Sequence, residues 1–233
     1  MSELHTAARR AIEREPGLLE QVASVPLRAS DLLSGGAEEF RTLRTRLNHL
    51  QGPKALHTIT VSSPAPGEGK SFVAANLALA EAQLKDNLTL LCDFDFWHAT
   101  LHELFGIERT PGLTDYLQNR AELHQAMGRI GGTNLYVMPA GSQVANPLEL
   151  LTLKEVKQTL EQLADTFAWV ILDSPPLLSA ADGNLLSTFS DGTLLVVRMG
   201  VTALKSIPLA IQSLCHNNVL GVVVNGARGF VNE

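Results

Sequence analysis

Short hydrophobic runs alternate with amphipathic stretches along most of the chain. The runs that are apolar nearly throughout, and short enough to be strands, are 57–63, 88–93, 135–139, 169–173, 193–198 and 219–225. Between them, the spacing of apolar residues predicts helices over 71–84, 101–105, 148–167, 182–189 and 204–216. Apolar strands linked by helices are typical of a parallel sheet covered on both faces. The pattern therefore predicts an α/β fold of three layers, with a mostly parallel central sheet flanked by helices.

Two parts of the chain depart from this alternation. Residues 1–36 carry mixed charge together with Pro16 and Pro26, which predicts an N-terminal arm that is partly flexible. Residues 106–134 are rich in glycine and are predicted to be loops that shape one wall of a site. The remaining length suits one domain with a sizeable core, so we predict a single domain over 37–233.

A strongly periodic helix is predicted at the start of that domain, over 37–50. Its apolar stripe consists of Phe40, Leu43, Leu47 and Leu50. Across from the stripe lie Glu38, Arg41 and Arg44. Taken alone, these three residues indicate a solvated face with one weak ion pair.

A loop containing glycine and proline connects the first of the strands listed above to a helix. Its sequence is Ser62-Ser63-Pro64-Ala65-Pro66-Gly67-Glu68-Gly69-Lys70-Ser71. In such a loop the backbone N–H groups face the phosphates of a nucleotide, Lys70 reaches the β- and γ-phosphate oxygens, and Ser71 ligates Mg²⁺. Pro64 stands where the spacing G-x4-G-K-[ST] has its first glycine, but Gly67 and Gly69 still supply a tight turn.

The alternative for this loop is a turn that contains a lysine by chance. Its place at the carboxyl end of a predicted strand favours the nucleotide site, because open α/β sheets bind ligands there. The residues predicted to bind the nucleotide are Pro66, Gly67, Glu68, Gly69, Lys70, Ser71 and Phe72.

Two other predicted strands end in carboxylates. Asp93 and Asp95 end one strand, and alternation in an extended segment points both side chains to the same side. Asp173 ends another strand, at the Walker-B position that holds Mg²⁺ through its water shell. Helix capping is the alternative role for an acid at a strand end. Three acids beside nucleotide phosphates would repel them without a cation, so Mg²⁺ is implied, with Ser71, Asp95 and Asp173 as its predicted ligands.

Composition and charge exclude several other classes of protein. The net charge of −6 and pI near 5.6 do not suggest nucleic-acid binding. Cys92 and Cys215 are far apart and are predicted to be core thiols in a reducing compartment. The polar N-terminus is unlike a signal peptide, and the sequence has no run of 18 apolar residues. We therefore expect a cytoplasmic chain with no membrane span of its own.

With these residues in view, the chain resembles the bacterial tyrosine kinases of capsule and exopolysaccharide synthesis, a branch of the ParA/MinD-type P-loop ATPases. The resemblance extends from 37 to 225. The matching segments are the E-x2-R-x2-R pattern at 38–44, Walker A at 65–71, Walker A′ at 93–95, Walker B at 173–176, and the segments 101–106, 112–117, 139–141 and 146–151. Ala65 stands in place of the signature lysine of MinD relatives.

The resemblance implies an activity and roles for individual residues. It implies transfer of a phosphoryl group from ATP·Mg²⁺ to tyrosine, with Lys70 on the phosphates and Asp93 as proton acceptor, a role that Asp95 could exchange with it. It further implies that Asn225 contacts adenine. The E-x2-R-x2-R helix implies a ring in which Glu38 meets Arg41 and Arg44 of a neighbouring copy. A transmembrane polysaccharide co-polymerase or adaptor would recruit the chain to the inner face of the plasma membrane.

The chain departs from the family pattern at two places. The pattern D-x-D-x-R would put an arginine at 97, where this chain has Trp97. The family's C-terminal tyrosine cluster has no counterpart in 225–233, and the tyrosines of the chain are Tyr116 and Tyr136, both predicted to be structural.

These departures leave two hypotheses open. One is a tyrosine kinase that regulates capsule or exopolysaccharide synthesis, acting on itself or on a partner. The other is a catalytically weak ATP-binding switch that controls a polysaccharide export complex without tyrosine transfer. A ParA/MinD-like positioning ATPase is disfavoured by Ala65 and by the oligomerisation-helix match.

Overall fold

The computed structural model describes residues 19, 22–25, 37–50, 56–214 and 219–227 of the chain. Its strands are β1 Ser24–Val25, β2 Thr58–Ser62, β3 Thr89–Asp93, β4 Gly128–Ile130, β5 Leu135–Met138, β6 Trp169–Asp173, β7 Gly192–Arg198 and β8 Val219–Asn225. Its helices are α1 Ala37–His49, α2 Lys70–Ala82, α3 Leu101–Phe105, α4 Leu113–Leu117, α5 Pro147–Leu151, α6 Lys154–Thr166, α7 Ala181–Ser187 and α8 Ser206–Ser213. The α/β fold predicted from the hydrophobic pattern is confirmed.

The strands of the described chain form one sheet of 8 strands in the order β1-β4-β5-β3-β6-β2-β7-β8. Neighbouring strands are parallel, except for β4 and β5, which are antiparallel. The adjacent strands β3, β6 and β2 are buried along their whole length. Because they are parallel, their carboxyl ends meet at one edge of the sheet, and this edge carries the candidate site.

Helices cover both faces of the sheet and make a three-layer structure. On one face, α1, α2 and α3 pack around strand residues that include Leu91 and Ile171. On the other face, α4 to α7 pack around strand residues that include Leu90 and Val170. Adjacent residues of one strand belong to different cores because side chains alternate between the two faces of a sheet.

The helix α2 is buried along most of its length because α1 lies over it. Phe40 and Leu47 of α1 are buried, and the Phe40 ring meets the edge of the Phe72 ring at a centroid distance of 6.0 Å. The Arg44 guanidinium donates a hydrogen bond to the carbonyl oxygen of Ala80 in α2, at 2.7 Å. The alternative of a solvated face therefore does not hold for Arg44, since its side chain is half-buried against α2. Leu50, predicted in the apolar stripe, lies beyond the end of α1 and is 49% exposed.

The predicted helix over 148–167 is two helices, α5 and α6. Asn146 caps the first of them by accepting a hydrogen bond from the backbone N–H of Glu149, at 3.3 Å. Leu153 then adopts an extended backbone conformation with ψ of 139°, which ends the helical path before α6. Its side chain is 40% exposed, whereas Val156 in α6 is buried, so the prediction of one continuous helix over 148–167 is wrong.

The glycine-rich segment 106–134 contains regular structure that the sequence pattern missed. It includes α4 and β4, both too short to show a clear period. Asp115 holds α4 in place, because its Oδ2 accepts hydrogen bonds from the N–H groups of Gly112 and Ser142, each at 3.0 Å.

Most of the predicted N-terminal arm lies outside the described residues. Within 1–36, the structure describes residue 19 and residues 22–25, and Ser24–Val25 form β1, which pairs with β4.

Cys92 is buried in β3 as predicted, and burial raises the pKa of its thiol. Cys215, the segment 51–55 and the segment 228–233 are outside the described residues. Within the described ranges, none of the helices is both long enough and apolar enough to cross a membrane.

Candidate functional site

The phosphate loop predicted from the sequence joins β2 to α2 at the carboxyl edge of the sheet. Gly67 and Gly69 have φ angles of 77° and 94°, a backbone region that favours glycine. A Cβ atom on Gly69 would also collide with the amide nitrogen of Asn225. Gly69 is the N-cap of α2. Because glycine has no side chain, it does not cap the first N–H groups of the helix. The first N–H groups of α2 are therefore suited to binding an anion.

Side chains from distant segments brace this loop. The Glu68 carboxylate, 2% exposed, accepts hydrogen bonds from the Ala65 N–H at 3.1 Å and from the Thr202 hydroxyl at 2.6 Å. The Arg198 guanidinium donates to the Gly67 carbonyl at 3.0 Å. The Asn225 amide donates to the Glu68 carbonyl at 3.0 Å. The side chain of Glu68, predicted at the nucleotide, is thus directed into the scaffold of the loop.

The lysine of the loop forms an ion pair with one of the predicted acids. The distance between Lys70 Nζ and Asp95 Oδ2 is 2.8 Å, and both side chains are largely buried. The same Nζ lies 3.3 Å from the Ser71 hydroxyl. Asp173 completes the cluster from β6, because β3 and β6 pair with Asp93 in register with Asp173. The predicted convergence of the phosphate loop and the acids at one sheet edge is therefore present in the structure.

Among the described residues, Asp173 differs from the other acids in having no close hydrogen bond to its carboxylate, although Lys70 and the Ser71 hydroxyl lie near it. Both of its carboxylate oxygens are buried, and neither has a hydrogen-bond partner among the residues that the structure describes. Burial raises the pKa of the Asp173 carboxyl, while the charge of Lys70 and the hydroxyl of Ser71 oppose the rise. Burial alone would lower the pKa of Lys70, but the charges of Asp173, Asp95 and Asp93 outweigh it, so that pKa is raised. Lys70 therefore stays cationic.

Asp93 is held by the backbone around it. Its carboxylate oxygens accept hydrogen bonds from the N–H groups of Asp95 at 3.2 Å and of Thr100 and Leu101 at 3.1 Å each. Its pKa is raised, first by burial and then by the charge of Asp173. Asp93 thus fixes the turn that carries Asp95 and the start of α3.

A cavity of about 410 Å³ opens beside this cluster. Its lining comes from the phosphate loop, from the segment after β3 and from the segment after β6; the residues are Pro66, Gly67, Gly69, Lys70, Ser71, Asp95, His98, Thr100, Leu104 and Pro176. The volume falls within the range typical of small-molecule sites. Asp95 lines the cavity, whereas Asp93 and Asp173 are buried and are not among its lining residues. The lining does not include any residue of 106–134, so the prediction that this segment forms a wall is not supported.

Two further residues predicted at the nucleotide have structural contacts. Phe72 packs with its ring against Phe40 of α1, which leaves its backbone N–H at the start of α2 as the group suited to a phosphate. Asn225 ends β8 beside the phosphate loop and reaches it through the hydrogen bond to Glu68.

Trp97 is held by a hydrogen bond from its indole ring to a distant segment. The Trp97 indole N–H donates a hydrogen bond to Asp182 Oδ2 at 3.1 Å, although Asp182 is far away in sequence. Asp182 is buried at the start of α7, and the Trp97 side chain is 59% exposed. Sequence reasoning did not identify Asp182, Arg198 or Thr202, since no local motif links them to the site.

The site offers few side chains for direct coordination of Mg²⁺. The described ranges contain no group of three or more His, Cys, Asp or Glu side chains placed to hold a metal ion directly. Mg²⁺ commonly keeps several waters and binds one or two carboxylates together with nucleotide phosphates. A buried carboxylate without partners, Asp173, next to the hydroxyl of Ser71, fits a hydrated cation of this kind.

Comparisons with known proteins agree with this geometry. The sequence profile of the "AAA domain" family matches residues 56–217. A tyrosine-protein kinase of Bacillus subtilis (strain 168), YwqD, is 34% identical over 194 residues, which cover 82% of this chain and 81% of that protein. The chain belongs to the bacterial tyrosine-protein kinase family. The family resemblance stated from the sequence is therefore confirmed.

Another similar kinase is much longer than this chain, and two solved structures superpose on this chain. The tyrosine-protein kinase ptk of Acinetobacter johnsonii is 33% identical over 92% of this chain, which spans 29% of that protein. The kinase domain of the Escherichia coli tyrosine kinase ETK superposes with a TM-score of 0.78 at 29% identity, over 89% of this chain and 84% of that domain. The Pyrococcus furiosus cell division ATPase MinD superposes with a TM-score of 0.60 at 22% identity, over 72% of this chain and 70% of that one. The last likeness shows the shared P-loop fold.

Proposed function

We propose that this chain binds ATP with Mg²⁺ and transfers the γ-phosphoryl group to a tyrosine of another protein. The observation that carries the proposal is the Lys70–Asp95 ion pair beside the unpartnered carboxylate of Asp173, at the edge of the cavity. Membership in a family whose relatives are named tyrosine-protein kinases supports tyrosine as the acceptor.

The phosphate loop supplies the binding of the triphosphate. The N–H groups from Gly67 to Phe72 bind the phosphate oxygens, and Lys70 turns from Asp95 towards the β- and γ-phosphates. Asn225, next to the loop, is proposed to contact adenine. The braces from Glu68 to Thr202 and from Arg198 to Gly67 hold the loop in its binding shape before the nucleotide arrives, which reduces the ordering cost of binding.

Three side chains would hold the cation. Ser71 would ligate Mg²⁺ directly, while Asp173 and Asp95 would accept hydrogen bonds from its waters. When bound, Mg²⁺ neutralises charge on the phosphates as the transition state develops. The ion and its waters would also give the buried Asp173 carboxylate the partners that it lacks among the described residues.

Asp95 is the better placed of the two candidates for proton acceptor. Its carboxylate lines the cavity, and it is released for this role when Lys70 moves to the phosphates. Asp93 is committed to three backbone N–H groups and is not among the residues that line the cavity. In the proposed step, the tyrosine oxygen bonds to the γ-phosphorus, the bond from that phosphorus to the β–γ bridging oxygen breaks, and ADP leaves. The phenolic proton passes to Asp95.

The acceptor tyrosine is proposed to lie on another protein. Tyr136 is 2% exposed in β5, and its ring packs against Phe167. Tyr116 is partly buried in α4 and packs against the same core. These are the two tyrosines of the sequence, and neither side chain is exposed, so the proposal places the acceptor tyrosine on another protein.

A nucleotide-dependent switch without tyrosine transfer is the second candidate function. The observation that favours it is Trp97, because an indole bonded to Asp182 stands where the family pattern has a cationic guanidinium. A missing cation near the phosphates removes one source of transition-state stabilisation. ATP binding would still change the partners of Lys70 and so could control a polysaccharide export complex.

In either case, we propose a role in capsule or exopolysaccharide synthesis or export. The chain would act at the inner face of the plasma membrane, recruited there from the cytoplasm by a transmembrane adaptor, and would self-associate through α1. The family resemblance is the support for this setting.

Transfer of radiolabel from [γ-³²P]ATP separates the two functions. We expect phosphotyrosine on the cytoplasmic part of an adaptor, and its loss in Lys70→Met. ATP binding measured by calorimetry with no phosphotyrosine on any added protein would establish the switch and refute the kinase. Loss of ATP binding when Mg²⁺ is chelated is expected for both.

A further inference from the structure

We propose that Trp97 is the docking residue for the acceptor, with its exposed indole face packing against the aromatic ring of the incoming tyrosine. This inference rests on the proposed function, because it names the surface that brings a tyrosine of another protein to the cavity. Its first support is location. Trp97 does not itself line the cavity, but its neighbours in sequence Asp95 and His98 both do.

The second support is the fixed orientation of the ring. The indole N–H of Trp97 is bonded to Asp182, and Asp182 itself is buried. The next residue, Gly183, packs so closely on the segment after β6 that a Cβ would lie 2.6 Å from the carbonyl oxygen of Pro175. Pro176 follows in that segment and lines the cavity. The Trp97–Asp182 bond therefore links the segment after β3 to the start of α7, which packs on the segment after β6.

The third support is the exposure that this bond leaves. With its polar edge satisfied, Trp97 remains 59% exposed, whereas Trp169 is 2% exposed in the core. A fixed, exposed aromatic surface loses little conformational entropy on binding, and aromatic pairs prefer stacked or edge-to-face contacts. A tyrosine ring is the proposed occupant, because it can stack on an exposed indole and carries the phenolic oxygen that the proposed transfer needs. The chain's own tyrosines are held in its core, so the occupant comes from a protein acceptor.

Acrylamide quenching of tryptophan fluorescence tests the docking directly, without requiring transfer. Because Trp169 is buried, quenching of the full chain reports mainly on Trp97. The probe is a soluble synthetic peptide with tyrosines separated by glycine and serine, added in the presence of ADP and Mg²⁺. We expect the tyrosine peptide, and the same peptide with phenylalanine, to protect Trp97. The peptide with alanine in their place should not protect it.

Variants separate stacking from the tether to Asp182. Trp97→Ala should raise the KM for the tyrosine peptide about tenfold, within the range of aromatic pair energies, and leave the KM for ATP unchanged. Trp97→Phe keeps a ring but loses the N–H, so it should recover part of the affinity. Leu209→Ala, which truncates a residue 53% exposed on α8, is the matched control and should change neither constant.

Each outcome of these experiments has a defined meaning. Protection of Trp97 with ADP, together with no phosphotyrosine on the peptide or on an adaptor segment when ATP replaces ADP, supports docking and refutes the proposed kinase function. The same peptide KM in Trp97→Ala as in the wild type overturns the docking, even if transfer occurs. Absence of protection by the tyrosine peptide also overturns it. Protection that depends on protein concentration without peptide assigns the indole to contact between copies and overturns the proposal as well.

Discussion

Gly69 is the residue at which the shape of the phosphate loop depends most on the absence of a side chain. Its φ of 94° disfavours any residue with a Cβ, and the Asn225 amide occupies the space that a Cβ would need. We expect Gly69→Ala to lower the affinity for ATP at least tenfold. A left-handed non-glycine residue costs about 1–2 kcal/mol, and the collision adds to this by displacing Asn225. Calorimetric titration with ATP·Mg²⁺ measures the change.

Gly132 provides the matched control for that substitution. Its φ of 67° is also positive, but a Cβ there would meet nothing within 4 Å. Gly132→Ala should therefore lower thermal stability without changing ATP affinity. Equal ATP affinity in Gly69→Ala and the wild type would mean that the loop does not bind the phosphates in this shape.

At the scale of elements, the contact between α1 and the P-loop helix contains a buried acid. Glu81 of α2 is 1% exposed, and its carboxylate accepts hydrogen bonds from the side-chain amides of Asn48 in α1 and of Asn87. Burial raises its pKa to about 7, although the two amides and the charge of Arg44 oppose the rise. The folded chain therefore holds a proton at Glu81 that the unfolded chain releases near its ordinary value of 4.5.

This difference predicts the pH dependence of stability. The stabilisation from the neutral carboxyl is fully present below about pH 4.5 and is lost as the pH rises to about 7. Glutamine mimics the neutral form and cannot ionise. Glu81→Gln should therefore gain about 1–3 kcal/mol over the wild type between pH 4 and pH 8. Urea unfolding at several pH values measures this gain.

An exposed acid gives the control for this prediction. Glu161 on α6 has a side chain that is 66% exposed, so Glu161→Gln should not show the gain. If Glu81→Gln and the wild type differ by the same amount at pH 4 and pH 8, the carboxyl does not keep its proton in the folded chain.

The helices and strands show how much of the fold could be predicted from the sequence. The strands followed from apolar runs bounded by polar residues, because strands covered on both faces of a parallel sheet are rich in apolar residues. The break before α6 was missed because Leu153, which adopts the extended backbone there, has no helix-breaking character. The short elements α4, with 5 residues, and β4, with 3 residues, were missed. A hydrophobic period is not visible over such lengths.

The candidate site also has a part that the sequence predicted and a part that it did not. The phosphate loop and the three acids followed from local motifs, since each stands next to a strand that the sequence reveals. The braces from Thr202 and Arg198, and the partner of Trp97 on α7, join segments that are remote in sequence. No pattern within one segment can predict such a pairing, so these residues required the structure.

At the scale of the whole molecule, α1 is the element proposed to join copies of the chain. Glu38 and Arg41 are exposed and form an ion pair within the helix at 3.1 Å, whereas Arg44 is bonded to α2. Arg41→Glu should therefore reduce the mass measured by light scattering without lowering Tm, because the Arg41 side chain is exposed. Arg44→Glu should lower Tm as well. An unchanged mass in Arg41→Glu would argue against association through this face.

The central claim is that the cluster of Lys70, Asp95 and Asp173 performs phosphoryl transfer to tyrosine. The most direct measurement is the amount of phosphotyrosine formed on an adaptor's cytoplasmic segment at saturating ATP·Mg²⁺, in the wild type and in Asp95→Asn. Asparagine is similar in size to aspartate but cannot take up the phenolic proton at neutral pH. We predict phosphotyrosine with the wild type, and a loss of about 100-fold or more in Asp95→Asn with ATP still bound. Wild-type protein that binds ATP but forms no phosphotyrosine, or Asp95→Asn that forms it at the wild-type rate, would contradict the account.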